Sequence, residues 1–206
     1  MTKIIIAIAL FVTTLVSAQT QFEQGMGKAF GLWKEGKNTE ASDMFERIAS
    51  AEKTSWLPNY YVALINTTEA FNPANKEKVT ILLDKANAAL DTELAKNPNN
   101  AELLVVQAMA NTALLASNPM TYGMTLSPKI SQIYMQASLI APENPRVVFC
   151  KAEFGIGGAK WTGADVKQLC GQVEKSIELF GKFKPETPFS PKWGLDRATE
   201  ALKNCK

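Results

Sequence analysis

Residues 28–48 read Lys-Ala-Phe-Gly-Leu-Trp-Lys-Glu-Gly-Lys-Asn-Thr-Glu-Ala-Ser-Asp-Met-Phe-Glu-Arg-Ile. Ala29, Leu32 and Trp33 before Gly36, and Ala41, Phe45 and Ile48 after it, fall mostly three or four residues apart, as on one face of a helix. Gly36 reads as a helix end, so the stretch predicts two helices joined by a tight turn. Ala29 is small between large neighbours, which suits a point where two helices approach closely. The same feature returns in Tyr61-Val62-Ala63, Gln107-Ala108-Met109 and Lys151-Ala152-Glu153, so the four alanines stand 34, 45 and 44 residues apart. Between them runs a second pattern of small residue, large residue and proline: Ala41 with Phe45, Ala86 with Leu90 and Pro98, Tyr134 with Ala137 and Pro142. The chain is periodic on the scale of a helix pair.

The remaining punctuation is also helical. Ser127-Pro128, Asn144-Pro145 and Ser190-Pro191 each set a capping oxygen before a proline, whose missing N–H costs nothing in a first helical turn. Ser55 before Trp56-Leu57-Pro58, Asn100 before Ala101-Glu102, and Thr162 with Asp165 three residues on predict further starts. Gly36, Asn97-Pro98 and Pro142 predict ends, and Val79, Leu82, Leu83, Ala86, Leu90 and Leu94 form a one-sided stripe. Alternating strand patterns bounded by Asn-Gly or Asp-Gly are missing. The expectation is an all-α chain of eight or nine helices, each of about 12 to 20 residues.

Leu32, Gly36, Ala41, Phe45 and Ile48 resemble the tetratricopeptide repeat (TPR), a helix-turn-helix unit with small and aromatic residues at set positions and a closing proline. Asn144-Pro145-Arg146 after Pro142 is similar to that family's junction between units. The first unit lacks its closing proline, the second and third run about ten residues longer than the repeat, and Gly155-Ile156-Gly157-Gly158 replaces the motif in the fourth. More narrowly, Trp56-Leu57-Pro58-Asn59-Tyr60-Tyr61, the Gly-Gly-x-Lys stretch ending at Lys160, and the tail with Phe183-Lys184-Pro185 and Pro191-Lys192-Trp193-Gly194 resemble exported repeat proteins of Bacteroidetes-type bacteria, a family without assigned chemistry. The resemblance implies an α-α superhelix, a solenoid of about four TPR-like helix pairs plus a C-terminal helix, over residues 19–206. It also implies a concave groove suited to an extended peptide. Carried over position by position, the groove residues are Met26, Phe30 and Trp33, then Tyr60 and Leu64, then Glu102, Val105 and Met109, then Arg146, Phe149 and Glu153. In so short a stack the competing expectation is that the C-terminal helix folds back, fills the groove and turns these residues into core.

Composition narrows the chemistry. The 206 residues include no histidine, which excludes Ser-His-Asp and Cys-His nucleophiles and imidazole zinc sites. With 22 Lys and Arg against 20 Asp and Glu, the net charge of +2 is far from what phosphate neutralisation needs, so nucleic acid is not an expected partner. Glu23, Glu102 and Glu153 have the chemistry of general acids or bases, but no spacing brings two onto one face. Gly155-Ile156-Gly157-Gly158 with Lys160 fails the phosphate-loop spacing and reads as a flexible connection between helices. No catalytic residue, cofactor or metal is implied. The function expected is a non-catalytic binding scaffold for a protein or peptide partner, with a histidine-free envelope enzyme, a lyase or glycan hydrolase, as the alternative.

Residues 1–18 have the form of a signal peptide: Lys3, an apolar-to-small run over residues 4–16, then Ser17-Ala18 before Gln19. The run is shorter than the ~20 residues that span a bilayer. Cleavage after Ala18 and delivery to the periplasm are expected, and no later stretch reads as a membrane span. In an oxidising compartment the three cysteines become candidates for pairing. Cys170 lies on the stripe Val166, Leu169, Val173, Ile177 and Phe180, and Cys205 extends the face Leu195, Ala198 and Leu202. If these helices form a hairpin turning near residues 184–190, Cys170 and Cys205 come level. Cys150 and Cys170 are likewise symmetric about residues 157–163, and tying down the C-terminus, a gain of about 3 to 4 kcal/mol, favours Cys205. Residues 118–126, with Met120, Tyr122, Met124 and Leu126, are expected to form a loop that packs back as a plug, with a mobile partner-binding loop as the alternative.

Overall fold

The computed structural model describes residues 21–205, and the expected leader with its cleavage site lies outside them. Among the described residues the chain forms nine α-helices and no strand. They are α1 (21–34), α2 (Asn38–Ala51), α3 (Leu57–Ala70), α4 (Val79–Leu94), α5 (Ala101–Ser117), α6 (Pro119–Ile140), α7 (Pro145–Thr162), α8 (Val166–Lys182) and α9 (Leu195–Lys203), with a 3₁₀ turn at Pro73–Lys78. Four successive pairs stack with α9 behind them, and α3, α5 and α7 pack side by side as the inner layer. This is the all-α superhelix of four pairs and a C-terminal helix.

Local chemistry sets the joints. Gly36 adopts φ 77°, and its N–H donates to the Trp33 carbonyl while Lys37 N–H donates to that of Leu32, which closes α1 in a left-handed glycine cap. Asn100 accepts from the N–H groups of Glu102 and Leu103, Asn144 from Arg146 and Val147, and Asp165 from Lys167 and Gln168. Ala29, Ala63, Ala108 and Ala152 are all buried, which lets neighbouring helices close on one another. α3 and α5 bury residues around most of their circumference, as helices enclosed on several sides must.

Several boundaries depart from expectation. Residues 119–126 are helical rather than a loop: Asn118 caps α6, Pro119 occupies its first turn, and Pro128 lies inside the helix instead of starting it. The apolar line of Ile130, Ile133, Tyr134 and Ala137 continues back through Leu126 and Tyr122 at helical spacing, so burial outweighs the one backbone bond that Pro128 forgoes. Gly155-Ile156-Gly157-Gly158 is not a connection but the middle of α7, which ends only at Gly163 with φ 70°. A Cβ on Gly155 would lie 3.1 Å from Leu169, so one of these glycines marks the close approach of α7 and α8. Thr162 is the last residue of α7, and Asp165 alone caps α8. Ser190-Pro191 starts no helix. Ser190 Oγ accepts from Thr187 N–H to close a turn, and α9 begins after Gly194, at φ 114°.

Candidate functional site

The inner face of the stack is where the expected groove residues converge, and it is occupied by the chain's own residues 183–193. This segment is the strap between α8 and α9. Phe189 stacks on Phe30 with ring centroids 6.1 Å apart and meets Phe22 edge-on at 5.9 Å, while Tyr61 Oη donates to the Phe189 carbonyl at 2.7 Å. Trp193 Nε1 donates to Tyr60 Oη at 2.7 Å. Phe183 covers the Arg146 guanidinium at 4.4 Å. Three prolines, Pro185, Pro188 and Pro191, keep this stretch out of helix, and its aromatic side chains supply what the groove floor lacks.

Beneath the strap lies a polar knot. Arg146 is fully buried and donates through Nε and Nη2 to both oxygens of Glu102, at 2.7 to 3.0 Å, with the Glu102 side chain only 12% exposed. Asn144 Nδ2 donates to Glu102 Oε1 at 2.6 Å, and Tyr60 Oη reaches Oε2 at 3.4 Å. Arg146 Nη1 donates onward to the Trp193 carbonyl at 3.4 Å. Burial opposes the Arg146 cation, but the bonds to Glu102 prevail and hold it charged. Burial and the nearby Glu102 charge raise the Tyr60 phenol well above its ordinary range, and burial raises that of Tyr61. Neither phenol ionises near neutral pH.

Each expected groove residue has a definite place. Met26, Tyr60, Leu64, Val105, Met109, Arg146 and Phe149 are buried, and Phe30 and Trp33 are half-buried. Arg197 of α9 lies over the Phe149 ring at 5.6 Å and pairs with Glu153 at 2.6 Å. The groove is therefore closed over most of these positions. The strap aromatics and Tyr61 were missed as members of the site. A signal existed: aromatic residues set among closely spaced prolines neither continue a helix nor belong in water.

What stays open beside the strap is a cleft of about 360 Å³. Trp56, Phe183 and Pro191 give it apolar walls, Asn97, Asn100 and Asn144 carboxamides, and Glu102, Lys184 and Glu186 charge. Both Glu102 oxygens are already taken by Arg146, Asn144 and Tyr60, so the cleft offers contact surface more than a free acid or base. Among the described residues no three Cys, Asp or Glu side chains converge as a metal site requires, and no helix is long and apolar enough to cross a membrane. Cys170 and Cys205 are joined, with Cα atoms 5.7 Å apart, and the loop they close contains the whole strap. Cys150 is free and buried, its thiol pushed up to about 12 by burial.

With the strap counted as part of the stack, the molecule can be set beside known ones. The chain is similar to the HusA haemophore of Porphyromonas gingivalis, with a TM-score of 0.80 and 24% identity over 89% of this chain and 92% of that one. Its fold is TPR-like. It is also similar to a TPR protein of Thermus thermophilus, with a TM-score of 0.56 and 13% identity over 89% of this chain and 98% of that one. No family model and no curated protein sequence matches the chain. At these identities the likeness establishes the TPR-like fold shared with a Bacteroidetes haemophore, and the fold alone.

Proposed function

We propose that the protein is an exported, non-catalytic binding scaffold that carries a flat, largely apolar ligand of the tetrapyrrole class outside the cytoplasm. The observation that carries this reading is the likeness to a haemophore over about nine tenths of both chains. Three features of the molecule support it. The groove that would take an extended peptide already holds the strap, with Trp193 and Phe189 bonded and stacked in place. The one carboxylate at its centre, Glu102, is committed to Arg146 and Asn144, which argues against acid–base work. The disulfide and the leader expected over residues 1–18 both suit an oxidising compartment.

A peptide partner in the groove is the second reading, favoured by the fact that an extended aromatic segment does fit there. It requires the strap to leave. Titrating the mature chain, residues 19–206, with haemin and with a synthetic peptide of residues 183–193 separates the two. Saturable haemin binding with a shifted Soret band, and no peptide binding while the disulfide is intact, is the expected result. Peptide binding to the oxidised protein without haemin binding would replace the carrier reading with the peptide one.

A further inference from the structure

The strap does more than fill the inner face of the stack. Where it crosses the N-terminal ends of α3, α5 and α7 it leaves the cleft of about 360 Å³, a size at the lower end for small-molecule sites and suited to one or two rings. Trp56 stands just ahead of α3, Asn97 and Asn100 just ahead of α5, and Asn144 just ahead of α7. Phe183, Lys184 and Glu186 face them from the strap, so the cleft takes its shape only once the strap is seated.

Hydrogen-bonding capacity decides what such a cleft can take. Asn144 is spent: its oxygen caps α7, and its Nδ2 donates to Glu102, whose oxygens are also held by Arg146. Asn100 is half spent. Its oxygen accepts from the N–H groups of Glu102 and Leu103, which fixes the carboxamide and leaves Nδ2 without a partner in the protein. The Asn97 oxygen accepts from Asn99 N–H at 3.2 Å, which leaves its Nδ2 open in the same way. Among the described residues neither Lys184 nor Glu186 forms an ion pair or a side-chain hydrogen bond, and their charges cancel. The aromatic walls are held from behind: Trp56 packs against Tyr60 with ring centroids 5.2 Å apart, and Phe183 against the Arg146 guanidinium at 4.4 Å.

These groups exclude two ligand classes and fit a third. A wholly apolar ligand would desolvate the open carboxamides and both charges without return. A ligand with net charge would satisfy one of Lys184 and Glu186 while opposing the other. A sugar ring carries hydroxyls that accept from a carboxamide or an ammonium and donate to a carboxylate, and it has an apolar C–H face for an aromatic wall. We propose that the cleft is a saccharide-binding site that takes one or two neutral pyranose rings against Trp56 and Phe183, with Asn97, Asn100, Lys184 and Glu186 bonded to hydroxyls. It is a second site, independent of the carrier reading, because its lining is polar where a tetrapyrrole is apolar.

The test titrates the mature chain with glucose, galactose, mannose, N-acetylglucosamine and the disaccharide cellobiose, read by saturation-transfer NMR and calorimetry. Acetate, phosphate and alanine are the charged and zwitterionic comparisons. Saturable binding of at least one sugar is expected, with a Kd of about 1 mM, the range that a ligand of this size reaches in an open site. Asn100→Asp keeps the oxygen that caps α5 and removes only the open donor, and Asn97→Ala/Glu186→Ala alters two exposed side chains. Each variant is expected to bind that sugar about fivefold to tenfold more weakly, the scale of one or two lost hydrogen bonds, with circular dichroism unchanged. The saccharide site is overturned by a wild type that binds no sugar, by sugar affinity unchanged in either variant, or by binding of acetate, phosphate or alanine alone. The haemin titration is read separately, so the carrier reading stands or falls on its own.

Discussion

Opening the disulfide should release the C-terminal closure as a unit. Cys170 and Cys205 are 35 residues apart, and on the loop-entropy model a link of that span is worth about 4 kcal/mol, an upper figure because measured effects often fall short. α9 has nine residues, fully buries only Ala198, and is too short to persist alone. Its other ties are the packing of Ala201 and Leu202 against the core, the half-exposed Arg197–Glu153 pair with Arg197 over the Phe149 ring, and, through Gly194, the bonds at Trp193 to Tyr60 and Arg146. Spread over the closure, about 4 kcal/mol corresponds to a rise of roughly 10²- to 10³-fold in its open population. Hydrogen exchange read by mass spectrometry on the oxidised chain and on Cys170→Ser/Cys205→Ser gives the comparison. Amides of α9 should lose protection by up to that factor, while those of α3 and α5, enclosed on several sides, keep theirs. Equal protection of α9 in both proteins would refute the argument that the link holds the closure. Loss in α3 and α5 in step with α9 would refute the claim that the closure opens on its own.

Glu102→Ala leaves the fully buried Arg146 guanidinium without its carboxylate and should cost about 3 to 5 kcal/mol in urea unfolding, most of it recovered in Glu102→Leu/Arg146→Met. An unperturbed single variant would mean that Arg146 finds water or another partner. Phe149→Ala should lose a similar ~3 to 5 kcal/mol, because the ring is fully buried under Arg197, and a wild-type urea midpoint would return Phe149 to the surface. Alkali should destabilise the fold: burial holds the Cys150 proton up to about 12 and raises the Tyr60 and Tyr134 phenols, whereas the unfolded chain releases these protons from about 9 and 10. Their stabilisation is complete below pH ~9 and declines as pH rises above it, so a urea midpoint that stays level to pH ~11 would contradict the burial of these groups.

The legible part of the fold was the part written in local chemistry. Gly36, Asn100 and Asn144 end or start helices because a left-handed residue and a side-chain acceptor satisfy backbone groups wherever they occur. The spacing of Ala29, Ala63, Ala108 and Ala152 carried the stacking, since close approach constrains side-chain size more than anything else on the helix. Ser127-Pro128 and Ser190-Pro191 misled for one reason. A serine before a proline is a permitted helix start, and only the burial of neighbouring residues decides whether it is used. Around Pro128 the stripe through Tyr122, Leu126 and Ile130 prolonged the helix. Around Pro191 the demand for Phe189 and Trp193 in the groove kept the chain extended.

The site was less legible because the groove positions are defined by the repeat, while the occupant is defined by a tail outside it. Met26, Tyr60, Arg146 and Phe149 are buried, and whether such a face is groove or core depends on residues more than thirty positions away in the chain. The two over-long units show the same division. In the second, the extra length is the Pro73–Lys78 turn, a surface connection that alters little. In the third it extends α6 to 22 residues against 17 in α5. The departure from repeat length there falls on the segment that bears Met120 and Met124. A helix lengthened only for packing would turn its added apolar side chains inward, as α6 does with Ile130 and Ile133. The added turns do so with Tyr122 and Leu126, in line with Ile130, and leave Met120 and Met124 on the solvent side.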